Sequence, residues 1–306
     1  MVRDWAQLLP PCSRIELERW FWTVFLTPTN TGIPCTSTPK PWPRVLLFLR
    51  CLNRPEQADL ALPFSSDIEM SHDADAAFSG FLSECIAAGP SRCALAQGGV
   101  TAASLEKDLY ALFETLKYNP IALPPSAVRY GAIFAGTIID YSAIKNLILA
   151  TLYHPFNFPA MATGLNGILT GNLTAMVEWR NFYDSVFSTA IQAEALIGIR
   201  CGDKTTRASS VDGVLPSLRE GMSKSKLGGS SAIQTMFVTP CAQWKFDAKE
   251  RYMGDFRVKT KNPVLLIGNT YDPVTPITSA HNVSAGFEGS VVLERGGFGV
   301  RFPLWS

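Results

Sequence analysis

The residues of this chain that can do chemistry are few, and they do not add up to a complete site. A carboxylate, Asp272, closes the segment Pro263-Val-Leu-Leu-Ile-Gly-Asn-Thr-Tyr-Asp272 immediately before Pro273. On residue context alone it reads as a turn aspartate, because Asp and Pro both favour turns. Its other role would be to orient an imidazole that activates a hydroxyl, which demands a serine and a histidine elsewhere. The elbow that exposes such a serine is written Gly-x-Ser-x-Gly, and no segment of the 306 residues fits it. Gly228-Gly-Ser-Ser-Ala232 fails at its last position and reads as a Gly/Ser loop. Only three histidines are present. His281 follows Asp272 and reads as a surface or helix-packing residue, His154 before Pro155 as a helix terminus, and His72 as part of a helix entry. None has a Cys or His at zinc-ligand spacing, so neither a metal nor another cofactor is expected.

The bulk numbers bound the rest. Apolar residues make up 47% and charged residues 17%, which supports a sizeable core and argues against global disorder. With 27 basic and 26 acidic side chains the net charge is +1, giving no electrostatic reason to expect nucleic acid or an anionic membrane as partner. No apolar run approaches the ~20 residues of a membrane span. Val45–Leu49 is stopped by Arg50. Asp4, Glu16 and Glu18 interrupt the first thirty residues, so no signal-peptide core is expected there.

Texture divides the chain into three parts. Residues 1–65 hold four of the seven tryptophans and a run of prolines with no sustained period, and are expected to be irregular. Residues 66–235 read as an α-helical module. Ala74, Ala77, Phe78, Phe81, Leu82, Cys85 and Ile86 form a first apolar stripe, with Asp73 as cap and Gly89-Pro90 as stop. Leu105, Leu109, Leu112, Phe113 and Leu116 form a second, after Thr101. Ile144, Leu147, Ile148, Thr151 and Leu152 form a third, and a fourth helix is expected from Ala175 to about Leu196. Residues 236–306 change character: a short apolar strand over 263–268, a helix from Thr278 to about Ala285, and a strand over 289–294 make one βαβ unit. The fold class is therefore α/β, a partial parallel sheet beside a large helical module. Two strands do not make a stable sheet, so further strands must be supplied from elsewhere.

Several of these segments, taken in order, closely resemble tripeptidyl-aminopeptidase-like serine peptidases of the α/β-hydrolase fold. The resemblance rests on Asn262–Pro276 and Ser284–Leu293, on Ala76–Cys85 with Arg92-Cys-Ala-Leu95, and on Ile199-Arg-Cys-Gly-Asp203 with Pro240-Cys-Ala-Gln-Trp244. It covers about residues 70–299 and leaves out 1–60. It implies that Asp272 is the triad acid at the carboxyl edge of a strand, that the helical module is a cap over the site, and that intact relatives cleave peptides from the N-terminus. It also implies a histidine after Gly297-Phe-Gly299, where this chain has Val300. Nucleophile and base are both missing, so the polypeptide as written is expected to lack serine-peptidase activity, and whether it is an enzyme is left open. The competing expectation is a non-catalytic binding module derived from the cap.

The resemblance also implies a disulfide between Cys201 and Cys241. Cys85 and Cys93, which flank Gly89-Pro90, are the other candidate pair; Cys12, Cys35 and Cys51 leave one thiol over. Reduced, buried cysteines are the alternative. Asn172-Leu-Thr174 and Asn282-Val-Ser284 fit the N-glycosylation pattern, although such triplets also arise by chance. Together these features lead us to expect a secreted protein whose leader is not in this sequence.

Overall fold

A computed structural model describes residues 45–46, 70–123, 137–187, 190–204, 207–229, 238–250 and 257–300. The helical part opens with α1 (Ala74–Ala88), stopped by Gly89, whose φ of 78° suits glycine and whose amide donates to the Ile86 carbonyl. Helix α2 (Ala102–Thr115) starts at a reciprocal cap in which the Ser104 amide donates to Thr101 Oγ1 (3.2 Å) and the Thr101 amide to Ser104 Oγ (3.2 Å). Helix α3 (Tyr141–Leu152) is capped by Asp140, whose Oδ1 accepts from the Ala143 amide at 2.7 Å. Helices α4 (Phe158–Thr170), α5 (Leu173–Phe187), α6 (Ala190–Asp203) and α7 (Leu215–Lys224) follow.

One core joins α1 to α5. Phe78 and Phe81 of α1, Leu109 and Phe113 of α2, Ile144 and Ile148 of α3, Leu165 of α4 and Trp179 of α5 are all buried in it. Each large side chain removed from water contributes roughly 2–3 kcal/mol. Gly164 lets α5 approach α4, since a Cβ there would lie 2.5 Å from the Trp179 ring. The indole Nε1 donates to Thr151 Oγ1 at 2.9 Å, so the buried ring keeps its one polar group satisfied.

The sheet has the order β1 (Val45–Leu46), β4 (Val264–Tyr271), β5 (Val291–Phe298), with both pairings parallel. Helix α8 (Ile277–Ser284) is the crossover between β4 and β5 and packs on both. Gly268 makes that packing possible, because a side chain there would meet Ile277 Cδ1 at 2.5 Å. Sheet and helices are joined by rings: Phe298 stacks on Tyr271 (centroids 5.1 Å apart) and tilts against Phe158 (6.3 Å), which sits edge-on to Phe81 (5.1 Å).

Several expectations need correction. The N-terminal region, expected to be irregular, supplies the strand Val45–Leu46, in register with Val264 and Leu265. Two apolar residues suffice for that short parallel pairing along the start of β4. The single helix expected over 175–196 is two helices, α5 and α6. Helices α4 and α7 were not foreseen, both having Pro in their first turn and α4 having four glycine or threonine interruptions that blur its stripe. Nor was the antiparallel pair β2 (Ile121–Leu123) and β3 (Thr137–Ile139). Asp73 stands at the N-cap of α1 but makes no side-chain cap bond, because its Oδ1 lies 2.9 Å from His72 Nδ1 instead. Strands β4 and β5 run three and four residues beyond their expected ends, since parallel pairing carries them past the apolar runs.

Candidate functional site at the carboxyl end of the sheet

Strand β4 ends at Tyr271, and Asp272 is the first residue beyond its carboxyl end. In an open parallel sheet that edge is where ligands and catalytic groups gather. Asp272 is only 4% exposed. Its Oδ1 accepts from the amides of Val274 (2.9 Å) and Thr275 (2.7 Å), and its Oδ2 from Thr275 Oγ1 (2.5 Å). The carboxylate is thus held by its own turn, and among the described residues none of its hydrogen bonds comes from an imidazole. Burial nevertheless raises its pKa from 3.8 to about 6; the Thr275 and Val274 bonds oppose the rise and the neighbouring charge of Asp73 adds to it.

What surrounds the carboxylate comes from four separate stretches. Val274 lies in a small apolar cluster with Met70 and Ala74 at the start of α1 and Leu149 of α3, and Tyr153 and Val300 pack against it. The Val300 amide donates to the Tyr153 carbonyl (3.2 Å) and the Gly299 amide to the Tyr271 carbonyl (3.1 Å), which folds the end of β5 back over the end of β4. Gly299 has φ +85°, and a Cβ there would stand 2.7 Å from Pro155 Cδ, so only glycine turns the chain at this point. Position 300 is thereby delivered to the rim of the cluster that holds Val274. Two acceptors, Asp73 Oδ2 and Asn269 Oδ1, are buried nearby in sequence or space without a hydrogen-bond partner among the described residues.

The histidines do not converge on Asp272. His281 is exposed on α8. The His72 ring is 57% exposed and paired with Asp73. His154 lies just past the end of α3 and starts the 3-10 turn Pro155–Asn157, as a helix terminus should, and it is buried, with its ring 5.4 Å from that of Phe156. Cys85 bonds to Cys93 and Cys201 to Cys241, as the spacing and resemblance implied. Cys12, Cys35, Cys51 and the Gly/Ser loop residues Ser230–Ala232 lie outside the described residues. Among the described residues no three metal-ligating side chains cluster, and no helix is long and apolar enough to cross a membrane.

Asp73 is the neighbour that sequence reasoning missed. It was read as a helix cap, and nothing local signals that α1 starts against a turn almost two hundred residues further on.

Residues 226–301 match the family model for TAP-like protein. The TAP-like segment covers about a quarter of the chain and holds β4, Asp272, α8, β5 and Val300. It begins before the boundary at 236 that texture suggested. The match supports an α/β-hydrolase superfamily member and a hydrolase-family relationship, with part of that fold visible in the parallel β4–α8–β5 unit. No curated protein matches the chain. The two disulfides suggest an oxidising, extracellular environment.

Proposed function

We propose that this chain is a tripeptidyl-aminopeptidase-like serine hydrolase that keeps the triad acid, Asp272, and lacks the two groups that acid would serve. Intact relatives of this kind act on peptides from the N-terminus, beneath a helical cap, and are secreted. These 306 residues by themselves do not hydrolyse such substrates. The observation that supports the reading is the place of Val300, packed against the cluster that holds Val274, two residues beyond Asp272: the residue there is an aliphatic side chain with no proton to move. Acyl transfer needs a hydroxyl activated by an imidazole, and an aspartate alone supplies neither nucleophile nor base.

A second reading, a non-catalytic interaction module, is favoured by the contiguous core that α1 to α5 form among themselves. Both are tested on the purified full chain. Incubation with a tripeptide-anilide, a small acyl ester and a fluorophosphonate probe gives neither turnover nor serine labelling under either reading. Turnover that disappears in Asp272→Asn would overturn both. The two are then separated by thermal unfolding: a monomer with a sharp, reversible transition supports the interaction module, and aggregation without one supports an incomplete hydrolase.

A further inference from the structure

We propose that Asn172 carries an N-linked glycan and that Asn282, in the other acceptor triplet, does not. The argument begins with the turn between α4 and α5. Helix α4 ends at Gly171 in the left-handed region (φ 75°); Asn172 follows it outside any helix, Thr174 lies in the first turn of α5, and both are exposed. Asn172 Oδ1 accepts from the Thr174 amide at 3.3 Å. That local bond turns the carboxamide oxygen inward along the chain and leaves the nitrogen outward. Among the described residues neither Asn172 Nδ2 nor Thr174 Oγ1 has a hydrogen-bond partner.

The turn is also fixed. Gly167 packs beneath it, since a Cβ there would lie 2.5 Å from the Asn172 carbonyl oxygen, and Met176 and Trp179 bury the helix that follows. The folded chain thus presents Asn172 just ahead of α5, with the Thr174 hydroxyl exposed on that helix's first turn. Helix α4 runs from Phe158, which packs on Phe298, to Thr170, so the turn is about 20 Å of helix away from the strand ends. A glycan there leaves the Asp272 edge uncovered.

Asn282 offers the same letters in a different state. It lies inside α8, which packs on β4 and β5. The hydroxyl of Ser284, the third member of its triplet, is 2.7 Å from Ser290 Oγ, and Ser290 Oγ also donates to the Ser284 carbonyl (2.8 Å). Once α8 docks, this triplet is helical and its hydroxyl is engaged. The two disulfides supply the independent condition, since they belong to the oxidising lumen in which the transfer takes place.

In the reaction the Asn172 amide nitrogen attacks the anomeric carbon of a lipid-pyrophosphate-linked oligosaccharide. A C–N bond forms, the C–O bond to the pyrophosphate breaks, the nitrogen gives up one proton and the lipid pyrophosphate leaves. The cell's own transferase provides donor and catalysis.

The test expresses the full chain behind a supplied secretory leader in a glycosylating eukaryotic cell, reading lysate and medium together. The expected result is one mobility shift removed by peptide N-glycosidase, with Asn172 converted to Asp in the digested peptide. Thr174→Ala abolishes the shift, Thr174→Ser retains it, and Ser284→Ala leaves it unchanged. No shift, two shifts, or a shift lost only in Ser284→Ala overturns the proposal. None of these outcomes bears on the absence of a serine and histidine beside Asp272, so the functional reading stands or falls separately.

Discussion

Val300 and Val274 belong to one small apolar cluster, closed by Met70, Ala74 and Leu149, at the carboxyl end of β4. Val274 is two residues past Asp272, and Val300 arrives there because Gly299 turns the end of β5 back over Tyr271. The backbone therefore brings position 300 to the cluster beside the Asp272 turn. Under the proposed function a histidine at position 300 would supply the missing partner of Asp272.

Val300→His should set an imidazole beside the Asp272 carboxylate. A nearby negative charge favours the imidazolium, so the new histidine should titrate roughly one unit or more above the ordinary value of about 6.5. Proton NMR of the ring provides the measurement, and the rise should vanish in the Val300→His, Asp272→Asn double variant. Peptidase activity stays absent, since no activated serine is added. An imidazole with an unshifted pKa in both backgrounds would show that position 300 does not face the carboxylate.

Asp272 should make the chain more stable in acid than its other carboxylates would. Its folded pKa, about 6, lies above the unfolded value of 3.8, so between those limits the folded state holds a proton that the unfolded state has released. The contribution is fully present below pH 3.8 and is lost as pH rises through about 6, a change on the order of 3 kcal/mol. Asp272→Asn keeps an acceptor for the Val274 and Thr275 amides and removes the charge. Subtracting its denaturant stability from that of the parent at each pH should leave a difference that grows from pH 4 to 7 in the variant's favour. A flat difference would mean that the carboxylate is not held up by burial.

How much of this was legible in the sequence follows from how local each signal is. The βαβ unit was readable because a parallel strand begins as a continuous apolar run and Gly268 marks where α8 must come close; β4 itself is fully buried only at Leu266 and Asn269. Thr101 declared its helix start through a reciprocal bond to Ser104, three residues away. Asp73, also a good capping residue at an N-cap position, makes no cap bond, because its Oδ1 pairs with His72 Nδ1. The strand Val45–Leu46 was hidden because two residues carry no period; only the neighbouring β4 defines it. Lys145 was the least legible: it is 1% exposed, yet its Nζ donates to Tyr141 Oη at 2.7 Å and lies 4.3 Å from that ring's centre, a solution visible only in three dimensions. Long-range juxtaposition, not local propensity, decides the site.

The two disulfides should differ in worth. Cys201 and Cys241 are 40 residues apart and join α6 to the TAP-like segment, whereas Cys85 and Cys93 are 8 apart and close one helix end. Chain-entropy reasoning gives about 4 kcal/mol for the longer loop and ~2.5 kcal/mol for the shorter. Paired alanine variants compared by urea unfolding should show the larger loss for Cys201→Ala with Cys241→Ala. The reverse order would mean that the 201–241 stretch is ordered without its bridge.

Asp75 should prove to be the tie that sets α1 against the TAP-like segment. Its Oδ1 accepts from Ser225 Oγ and the Leu227 amide, and its Oδ2 from the Lys226 amide, each at 2.8 Å. Ser225 Oγ in turn accepts from the Gly228 amide (2.8 Å), and a side chain at 228 would meet Ser71 and Ala74. One carboxylate therefore orders the four-residue strap Ser225–Gly228 at the point where the family match begins, and it is next in sequence to the Ala74 that packs on Val274. Asp75→Ala leaves two backbone amides and a hydroxyl without their acceptor, a loss of about 2–3 kcal/mol. Hydrogen exchange at Lys226 and Leu227 should quicken while that of α4 and α5 stays unchanged, which separates a released strap from general unfolding. Because α1 also carries Met70 to Ala74 to the sheet edge, the Asp272 pKa should fall back toward the ordinary carboxylate range in the same variant, as its cover loosens and water reaches it. Unaltered exchange at 226 and 227 would show that the strap is held by the glycine packing alone, and that the edge of the sheet owes nothing to this carboxylate.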